Sequence, residues 1–283
     1  MDIKKVIPIP DYNLEEDVLS YIYGRQLSIV NRYIEMGKIP FNYPLNLESR
    51  DEQQFMRELL GYLIEELSEA YEIYCKMVTL QYQQQGDTVK TKEYLVDMLY
   101  KYNEELADIL HFSLEIMLYS NINPDDINVY YRTLLQELGL DESYYFDGNT
   151  LSTILQYARH CNIQRRIYSD KQFRLSYCII KKDELKDDFI CGGRYLSPVL
   201  QTENAIQLWD ITHQYSLARN MLKKKPWRSS GIEVDYAKFQ EQIMEGFLNL
   251  MRYMDLVGMT EDSILTVYTR KNLLLINRLN SGY

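Results

Sequence analysis

Long stretches with helical spacing of apolar residues, and few residues that break helices, constrain this fold most. Apolar and aromatic side chains recur every three or four positions, as one buried face of an α-helix requires. Gly (12) and Pro (7) are scarce among the 283 residues, so little interrupts these stretches. Predicted helices cover residues 15–36, 52–83, 91–120, 125–138, 151–160 and 203–222. The pattern predicts an all-α fold, a bundle of long antiparallel helices.

The same pattern divides the chain into three parts. Residues 1–138 form a helical core, and residues 139–231 form an inserted lobe of mixed or helical structure. Residues 232–283 supply C-terminal helices that complete the core. Within the lobe, residues 173–180 fit either a short strand or a buried helix segment, because periodicity does not separate the two. At the start of the third helix, Thr91 is the predicted cap.

Charge and cysteine usage narrow the function classes. A formal net charge of −10 argues against a protein that mainly grips nucleic-acid backbone. It allows a nucleotide substrate, because a bound cation can lie between acidic protein and acidic ligand. The four cysteines have no Cys-x-x-Cys spacing, which disfavours structural zinc and disulfides. With no signal peptide and no membrane-length apolar stretch in the sequence, we expect a cytoplasmic protein without membrane or nucleic-acid partners.

Two acidic pairs with the same spacing lie inside the second and third predicted helices. Glu66 and Glu69 are three residues apart, and so are Glu105 and Asp108. Residues at this spacing project from neighbouring points on one helix face, so each pair directs two carboxylates the same way. Oxygen ligands are what Mg²⁺ prefers, and substrate phosphates often complete its shell. The pattern indicates a metal-dependent enzyme that acts on a phosphate ester or anhydride.

A solvated helix face is the competing interpretation of these acidic residues. Acidic stripes along a helix usually do no more than face water. Glu66 fits that account poorly, because its neighbours at helical spacing include Leu63 and Ala70. Glu105 has Ile109 in the same relation. A carboxylate on an apolar face is unfavourable unless it is paired, protonated or bound to metal. Spacing alone leaves both interpretations open.

An internal repeat relates two parts of the sequence. Residues 105–133 align without gaps with residues 242–270, and each copy has a long helix, a short turn and an acidic start to a short helix. The second copy has Glu245 where the first has Asp108. Convergence of two similar helix pairs is the alternative to our preferred account, which is duplication followed by loss of metal ligands in one copy.

The acidic motifs resemble those of a known superfamily. The segments concerned are Phe55-Met-Arg-Glu58, Glu65-Glu66-Leu-Ser-Glu69 and Glu105-Leu-Ala-Asp108-Ile-Leu-His-Phe112. They are similar to the all-α nucleoside triphosphate pyrophosphohydrolases, above all the dimeric dUTPase branch with the bacteriophage dCTP/dUTP pyrophosphatases. Those proteins carry E-x-x-E on one helix and E-x-x-D on the next, and hold Mg²⁺ against the substrate phosphates. The resemblance implies these Mg²⁺ ligands, with Mn²⁺ as a substitute: Glu66, Glu69, Glu105 and Asp108.

The C-terminus resembles the phosphate-contacting tail of the same family. That tail has the order Tyr, Lys, Asn, Arg, Gly-Tyr, and here the order is Tyr268, Lys271, Asn272, Arg278, Gly282-Tyr283. The resemblance implies that Lys271 and Arg278 neutralise phosphate charge, and that Asn272 and Tyr283 join them at the phosphates.

Other roles also come from the resemblance. The family uses a Gln and an Asn of its first helix to contact the base and the sugar, and the resemblance implies Gln26 and Asn31 for these roles. A carboxylate beside the metal, Glu65 or Glu66, would position or deprotonate the attacking water. The implied function is Mg²⁺-dependent hydrolysis of dUTP or dCTP to the monophosphate and pyrophosphate. A homodimer would perform it in the cytoplasm, the host's if the chain is viral.

Two departures from the family pattern support an alternative function. Leu275 stands where the family usually has a second Asn. In the family, the helix before the Tyr-Lys tail often carries the E-x-x-D pair, whereas here that helix carries Gln242 and Glu245. The alternative is a divergent non-catalytic helical homologue, a nucleotide-binding or protein-interaction module. A helical adaptor with a purely structural role is a third hypothesis.

Overall fold

A computed structural model describes residues 17–83, 89–137, 139, 150–159, 161, 198–222 and 234–281. These residues are helical apart from turns and short connections, and no strand occurs among them. The helices are α1 (Val18–Glu35), α2 (Arg50–Gln83), α3 (Val89–Tyr119), α4 (Pro124–Glu137), α5 (150–159), α6 (Pro198–Met221), α7 (Tyr236–Leu256) and α8 (Glu261–Asn280). The predicted all-α bundle is confirmed. Residues 173–180 lie outside the described residues.

Helix starts follow local capping chemistry. The side chain of Asp17 accepts a hydrogen bond from the backbone N–H of Ser20 (2.9 Å) at the start of α1. Asp235 does the same for Lys238 (3.1 Å) at the start of α7. The predicted cap at Thr91 is wrong, because α3 already begins at Val89 and Thr91 lies inside the helix. Threonine can also lie inside a helix at a modest cost in helix propensity, so its presence alone does not fix where a helix begins.

Helices α2 and α3 pack antiparallel, and aromatic contacts fix their register. The ring pairs are Phe55–Tyr119, Tyr62–Phe112 and Tyr74–Tyr102, with centroids 5.2, 5.8 and 6.2 Å apart. As the residue numbers of these pairs increase along α2, they decrease along α3, as antiparallel packing requires. This register sets Glu66 across from Asp108 and Glu69 across from Glu105. Both acidic pairs therefore lie at one level of the bundle.

Helices α6 and α7 form a second closely packed pair. A Cβ atom at Gly246 would lie 2.9 Å from ring atoms of Tyr215, so only glycine permits this approach. The Tyr215 hydroxyl donates a hydrogen bond to Oγ of Ser113 (3.1 Å), which ties the pair to α3. Tyr253 of α7 donates to Oδ1 of Asn204 (3.1 Å) of α6 in the buried interior.

Residues from the predicted lobe belong to the same hydrophobic core as the remaining helices. Leu151 and Ile154 of α5 are buried in it, and so are Ile211 and Leu222 at α6. The described part of residues 139–231 therefore packs into the bundle, while the proposed domain boundaries stay predictions. None of the described helices combines the length and the apolar character that a bilayer span requires.

The sequence repeat is also a repeat of backbone structure. Asn121 and Gly258, which occupy aligned positions in the two turns, both have positive φ, 56° and 85°. Asn and Gly are the residues that adopt this conformation most readily. The next residue closes each turn: the N–H of Ile122 donates to Met117 O, and that of Met259 donates to Met254 O, both at 2.9 Å.

The short helices of the two copies begin with the same reciprocal cap. Backbone N–H groups of Asn123 and Asp126 each donate to the other residue's side chain (2.8 and 3.0 Å). Thr260 and Ser263 exchange the equivalent bonds (2.7 and 3.3 Å). The predicted helix–turn–helix form of both copies is thus present in the structure. Its origin by duplication stays a prediction.

Candidate metal centre

Three carboxylates from two facing helices converge at the centre of the bundle's acidic level. One carboxylate oxygen from each of Glu66, Glu105 and Asp108 lies within 4.8 Å of the others, and all three residues are half-buried. The register of α2 against α3 produces this cluster, since it sets Glu66 across from Asp108. Carboxylate oxygens this close together can share one hard divalent cation.

The charge state of the cluster fits a cation site. Burial raises the pKa of Glu66 to about 8, helped by the charge of Asp108, a hydrogen bond with Glu105, and the charges of Glu105 and Glu69. Burial likewise raises the pKa of Glu105 and of Asp108. Carboxyl groups that resist ionisation together are stabilised in their charged form by added positive charge, which a divalent cation supplies. The donor set and its electrostatics therefore fit Mg²⁺ or Mn²⁺.

The other predicted carboxylates lie at the margin of this cluster. Glu69 is exposed and is not one of the three converging groups, although its charge adds to burial in raising the pKa of Glu66. Glu65 is exposed as well, and consecutive helix residues do not face the same way. Three of the four predicted metal ligands are thus brought together. The water-positioning role predicted for Glu65 or Glu66 stays a prediction.

Lys271 of α8 contacts the cluster, and the charge of Arg278 on the same helix acts on Asp108. Nζ of Lys271 lies 2.5 Å from Oδ2 of Asp108, with 18% and 22% of the two side chains exposed. Burial raises the pKa of Asp108, and the Lys271 ammonium and the charge of Arg278 partly oppose this rise. Of the residues predicted to contact phosphate, Lys271 therefore touches a predicted metal ligand, and Arg278 acts on that ligand through its charge. Tyr283, another of the four residues predicted to contact phosphate, lies outside the described residues.

Asn272 and Gln26 belong to a buried network that joins α1, α3 and α8. Oδ1 of Asn272 accepts a hydrogen bond from Nη2 of Arg25 (3.0 Å). Oε1 of Gln26 is bonded to the Tyr268 hydroxyl (3.1 Å) and to Nδ1 of His111 (2.7 Å). The His111 ring stacks on Tyr268 at 4.3 Å, and burial lowers the pKa of His111 to about 3, so the imidazole is neutral. The predicted substrate contacts of Gln26 and Asn272 stay predictions, and both amides here hold helices together.

Asn31 lies on α1 and is half-buried. Its Oδ1 accepts a hydrogen bond from the Tyr43 hydroxyl (3.0 Å), which anchors the connection that follows α1. A contact from Asn31 to a sugar stays a prediction.

No motif singles out Glu115, yet it continues the acidic face of α3. It lies about two helical turns after Asp108, on the same side of the helix. Burial raises its pKa to about 7. Between the two carboxyls, Phe112 packs against Tyr62, which is 46% exposed. The spacing of four and then three residues from Asp108 to Phe112 to Glu115 could have predicted that Glu115 lies on the acidic face of α3, because residues so spaced share a helix face.

The second copy of the repeat has no comparable cluster among the residues the structure describes. Glu245, aligned with Asp108, accepts a hydrogen bond from the Tyr130 hydroxyl of α4 (2.7 Å). Beside it, Gly246 receives the ring of Tyr215 from α6. At the position aligned with Asp108, the second copy therefore has packing contacts between helices, whereas the first copy has a cluster of carboxylates.

Comparison with known proteins finds no matching family model, curated protein or solved structure. A proposal about function must therefore rest on the geometry of α2, α3 and α8 and on the sequence motifs.

Proposed function

We propose that this protein is a Mg²⁺-dependent nucleoside triphosphate pyrophosphohydrolase that cleaves dUTP or dCTP to the monophosphate and pyrophosphate. The observation that supports the proposal is the convergence of Glu66, Glu105 and Asp108, with Lys271 beside them. Carboxylate oxygens suit Mg²⁺, and an ammonium group suits the phosphates that such an ion carries. The choice of a pyrimidine deoxynucleotide comes from the motif resemblance.

Each group in the cluster has a part in this chemistry. Mg²⁺ in such a site supplies stabilisation of the charge that develops on phosphoryl oxygens. Glu66, Glu105 and Asp108 would hold the ion, and Glu69, one turn along α2, is the fourth ligand of the proposal. A carboxylate of the Glu65-Glu66 pair would take a proton from water. That water adds across the bond between the α- and β-phosphoryl groups, and pyrophosphate leaves.

Positive groups on α8 complete the proposed substrate site. Lys271 and Arg278 would neutralise the triphosphate, because charged donors bind phosphate oxygens strongly. The resemblance further leads us to propose a homodimer that acts in the cytoplasm and has no nucleic-acid partner. Light scattering after size exclusion measures the oligomeric state directly.

The decisive experiment is pyrophosphate release from each dNTP, measured with Mg²⁺, with Mn²⁺ and with EDTA. We expect release from dUTP or dCTP that EDTA abolishes and that either metal restores. Release from a purine dNTP would keep the reaction and overturn the pyrimidine preference. No release from any dNTP with either metal would overturn the enzymatic proposal.

A non-catalytic nucleotide-binding homologue is the second candidate. The second copy of the repeat supports it, because Glu245 is hydrogen-bonded to Tyr130 there and no carboxylate cluster forms among the described residues of that copy. Such a protein would be stabilised against heat by a dNTP with Mg²⁺, as linkage requires, without releasing pyrophosphate. Thermal unfolding and pyrophosphate release, measured on the same samples, separate the two candidates.

A further inference from the structure

The contact between Lys271 and Asp108 places a positive group where the proposed metal would bind. Nζ of Lys271 lies 2.5 Å from Oδ2 of Asp108, and Asp108 is one of the three converging carboxylates. The two residues come from α8 and α3, so tertiary packing brings them together. A divalent ion that uses Asp108 would bind the same carboxyl group as the ammonium.

We propose that Lys271 is a resident cation that occupies the metal-free centre and is displaced from Asp108 when the divalent ion binds. Once displaced, its ammonium is available to the phosphates of the substrate. This inference rests on the proposed function, because it assumes that the carboxylate cluster binds metal. It adds a coupling between the metal site and the phosphate site through one side chain.

The surroundings of Lys271 fix its backbone and leave its side chain able to move. Its neighbour Asn272 is fully buried and bonded to Arg25, and Tyr268, one turn earlier, is bonded to Gln26. These bonds hold α8 against α1 and α3. The lysine side chain itself is partly exposed and has a flexible four-carbon stem, so its head group can leave Asp108 without movement of the helix.

Competition between the two cations follows from electrostatics. An ammonium and a divalent ion repel each other strongly at contact distances in a half-buried site. Occupation of Asp108 by one therefore weakens occupation by the other. Because binding linkage is reciprocal, phosphates that attract Lys271 should tighten metal binding, and metal should tighten phosphate binding.

The test is Mn²⁺ affinity of the full chain without nucleotide, measured from the electron paramagnetic resonance signal of free Mn²⁺. For Lys271→Met we expect affinity to increase about fivefold or more over the unsubstituted chain, the lower end of typical coupling. Arg270→Met is the matched control: it removes the same charge from the adjacent residue, which a helix turns by about 100° to another face. Equal affinity in Lys271→Met and the unsubstituted chain, or an equal gain in Arg270→Met, would overturn the proposal.

A measurement on the unsubstituted chain covers the case in which Lys271→Met does not fold. Amine acetylation, followed by mass spectrometry of peptides, reports how accessible each lysine is. Saturating Mn²⁺ should increase labelling of Lys271 and leave that of Lys101, an exposed lysine of α3, unchanged. Unchanged labelling of Lys271 at saturation would contradict the displacement.

The outcomes also separate this inference from the proposed function. If neither chain binds Mn²⁺, the metal site is absent and both proposals are overturned. If both chains bind Mn²⁺ equally and pyrophosphate is released, only the role of Lys271 as a resident cation is overturned. Tighter binding in Lys271→Met alone supports the inference whatever the base preference.

Discussion

The helix pairs α3–α4 and α7–α8 have the same local backbone and different chemistry. Their turns share a positive-φ residue at aligned positions, and their short helices share a reciprocal cap. Yet Asp108 lies in a cluster of carboxylates, whereas its counterpart Glu245 accepts a hydrogen bond from Tyr130. The comparison shows that backbone conformation and site chemistry are set by different residues.

The helix that packs against each copy explains the difference. Helix α2 supplies Glu66 to α3, whereas α6 supplies the ring of Tyr215 to Gly246 of α7. In each copy the acidic residue of the long helix also bonds to the short helix of the other copy. For Asp108 this partner is the ammonium of Lys271, and for Glu245 it is a neutral hydroxyl. The contact of Asp108 with Lys271 is an ion pair, in which a metal ion can take the place of the ammonium. The contact of Glu245 with Tyr130 is a hydrogen bond between two helices.

The largest expected effect contrasts the two acidic positions in catalysis. Asp108→Asn should lower pyrophosphate release about a hundredfold or more, because it removes a ligand that stabilises the reacting charge. Glu245→Gln should leave the rate within about twofold, since it only alters a hydrogen bond to Tyr130. Rates are compared at saturating Mg²⁺ and dNTP, with circular dichroism to verify helix content. A comparable loss in both variants would mean that the second copy takes part in the reaction.

Packing of the second copy provides the next contrast. Gly246→Ala should destabilise the fold by about 1–3 kcal/mol, because the new Cβ would meet the Tyr215 ring at 2.9 Å. Gly61→Ala in α2 is the control, since nothing lies within 4 Å of its Cβ position. There we expect a gain of about 0.5–1 kcal/mol from helix propensity. Urea unfolding measures both, and a neutral Gly246→Ala would show that α6 and α7 are not held this closely.

Stability against pH probes the carboxylates of the first copy. The pKa of Glu66 rises from 4.5 to about 8 through burial and neighbouring charge, so the folded chain binds more protons than the unfolded chain between these values. Without metal, stability should therefore fall as pH rises from about 5 to 8. Glu66→Gln should reduce this loss by about 1–2 kcal/mol, a figure that allows for partial exposure. Urea unfolding at each pH measures the slope, and an unchanged slope in Glu66→Gln would contradict the assignment.

Bound metal should oppose the loss of folding stability as pH rises. Binding of a divalent ion requires ionised carboxylates, so Mg²⁺ releases protons from the cluster and its affinity should rise with pH up to about 8. Titration calorimetry in buffers of different ionisation enthalpy counts the released protons.

The two turns provide the last contrast. Gly258→Ala should destabilise by about 1–2 kcal/mol, because an alanine resists the φ of 85° at that position. Asn121→Gly at the aligned position should change stability by no more than about 0.5 kcal/mol, since both residues tolerate positive φ. Thermal unfolding compares the two variants. Equal losses of stability in the two variants would contradict the view that positive φ is what both turns require of these residues.

Much of this molecule follows from local sequence pattern. Periodicity predicted the long helices. The cap predicted at Thr91 was wrong, because α3 begins at Val89 and threonine also occurs inside helices. Three-residue spacing predicted that Glu105 and Asp108 share a face. The gapless alignment predicted two helix–turn–helix units, and the structure adds that Asn121 and Gly258, at aligned positions in the two turns, both have positive φ.

Contacts between distant parts of the chain did not follow from pattern. The motif resemblance assigned the adjacent residues Lys271 and Asn272 to phosphate. In the structure Lys271 contacts Asp108, whereas Asn272 is buried and accepts a hydrogen bond from Arg25. The bonds of Gln26 with His111 and Tyr268 likewise require three helices to meet.

The sequence by itself determined the helices, the acidic pairs and the repeated turns, because helix geometry and turn conformation depend on residues close together in the chain. Only the tertiary structure decided which carboxylates converge and which cation they meet. Those outcomes depend on the register of α2 against α3 and on the position of α8, and both are set by the fit of side chains far apart in sequence.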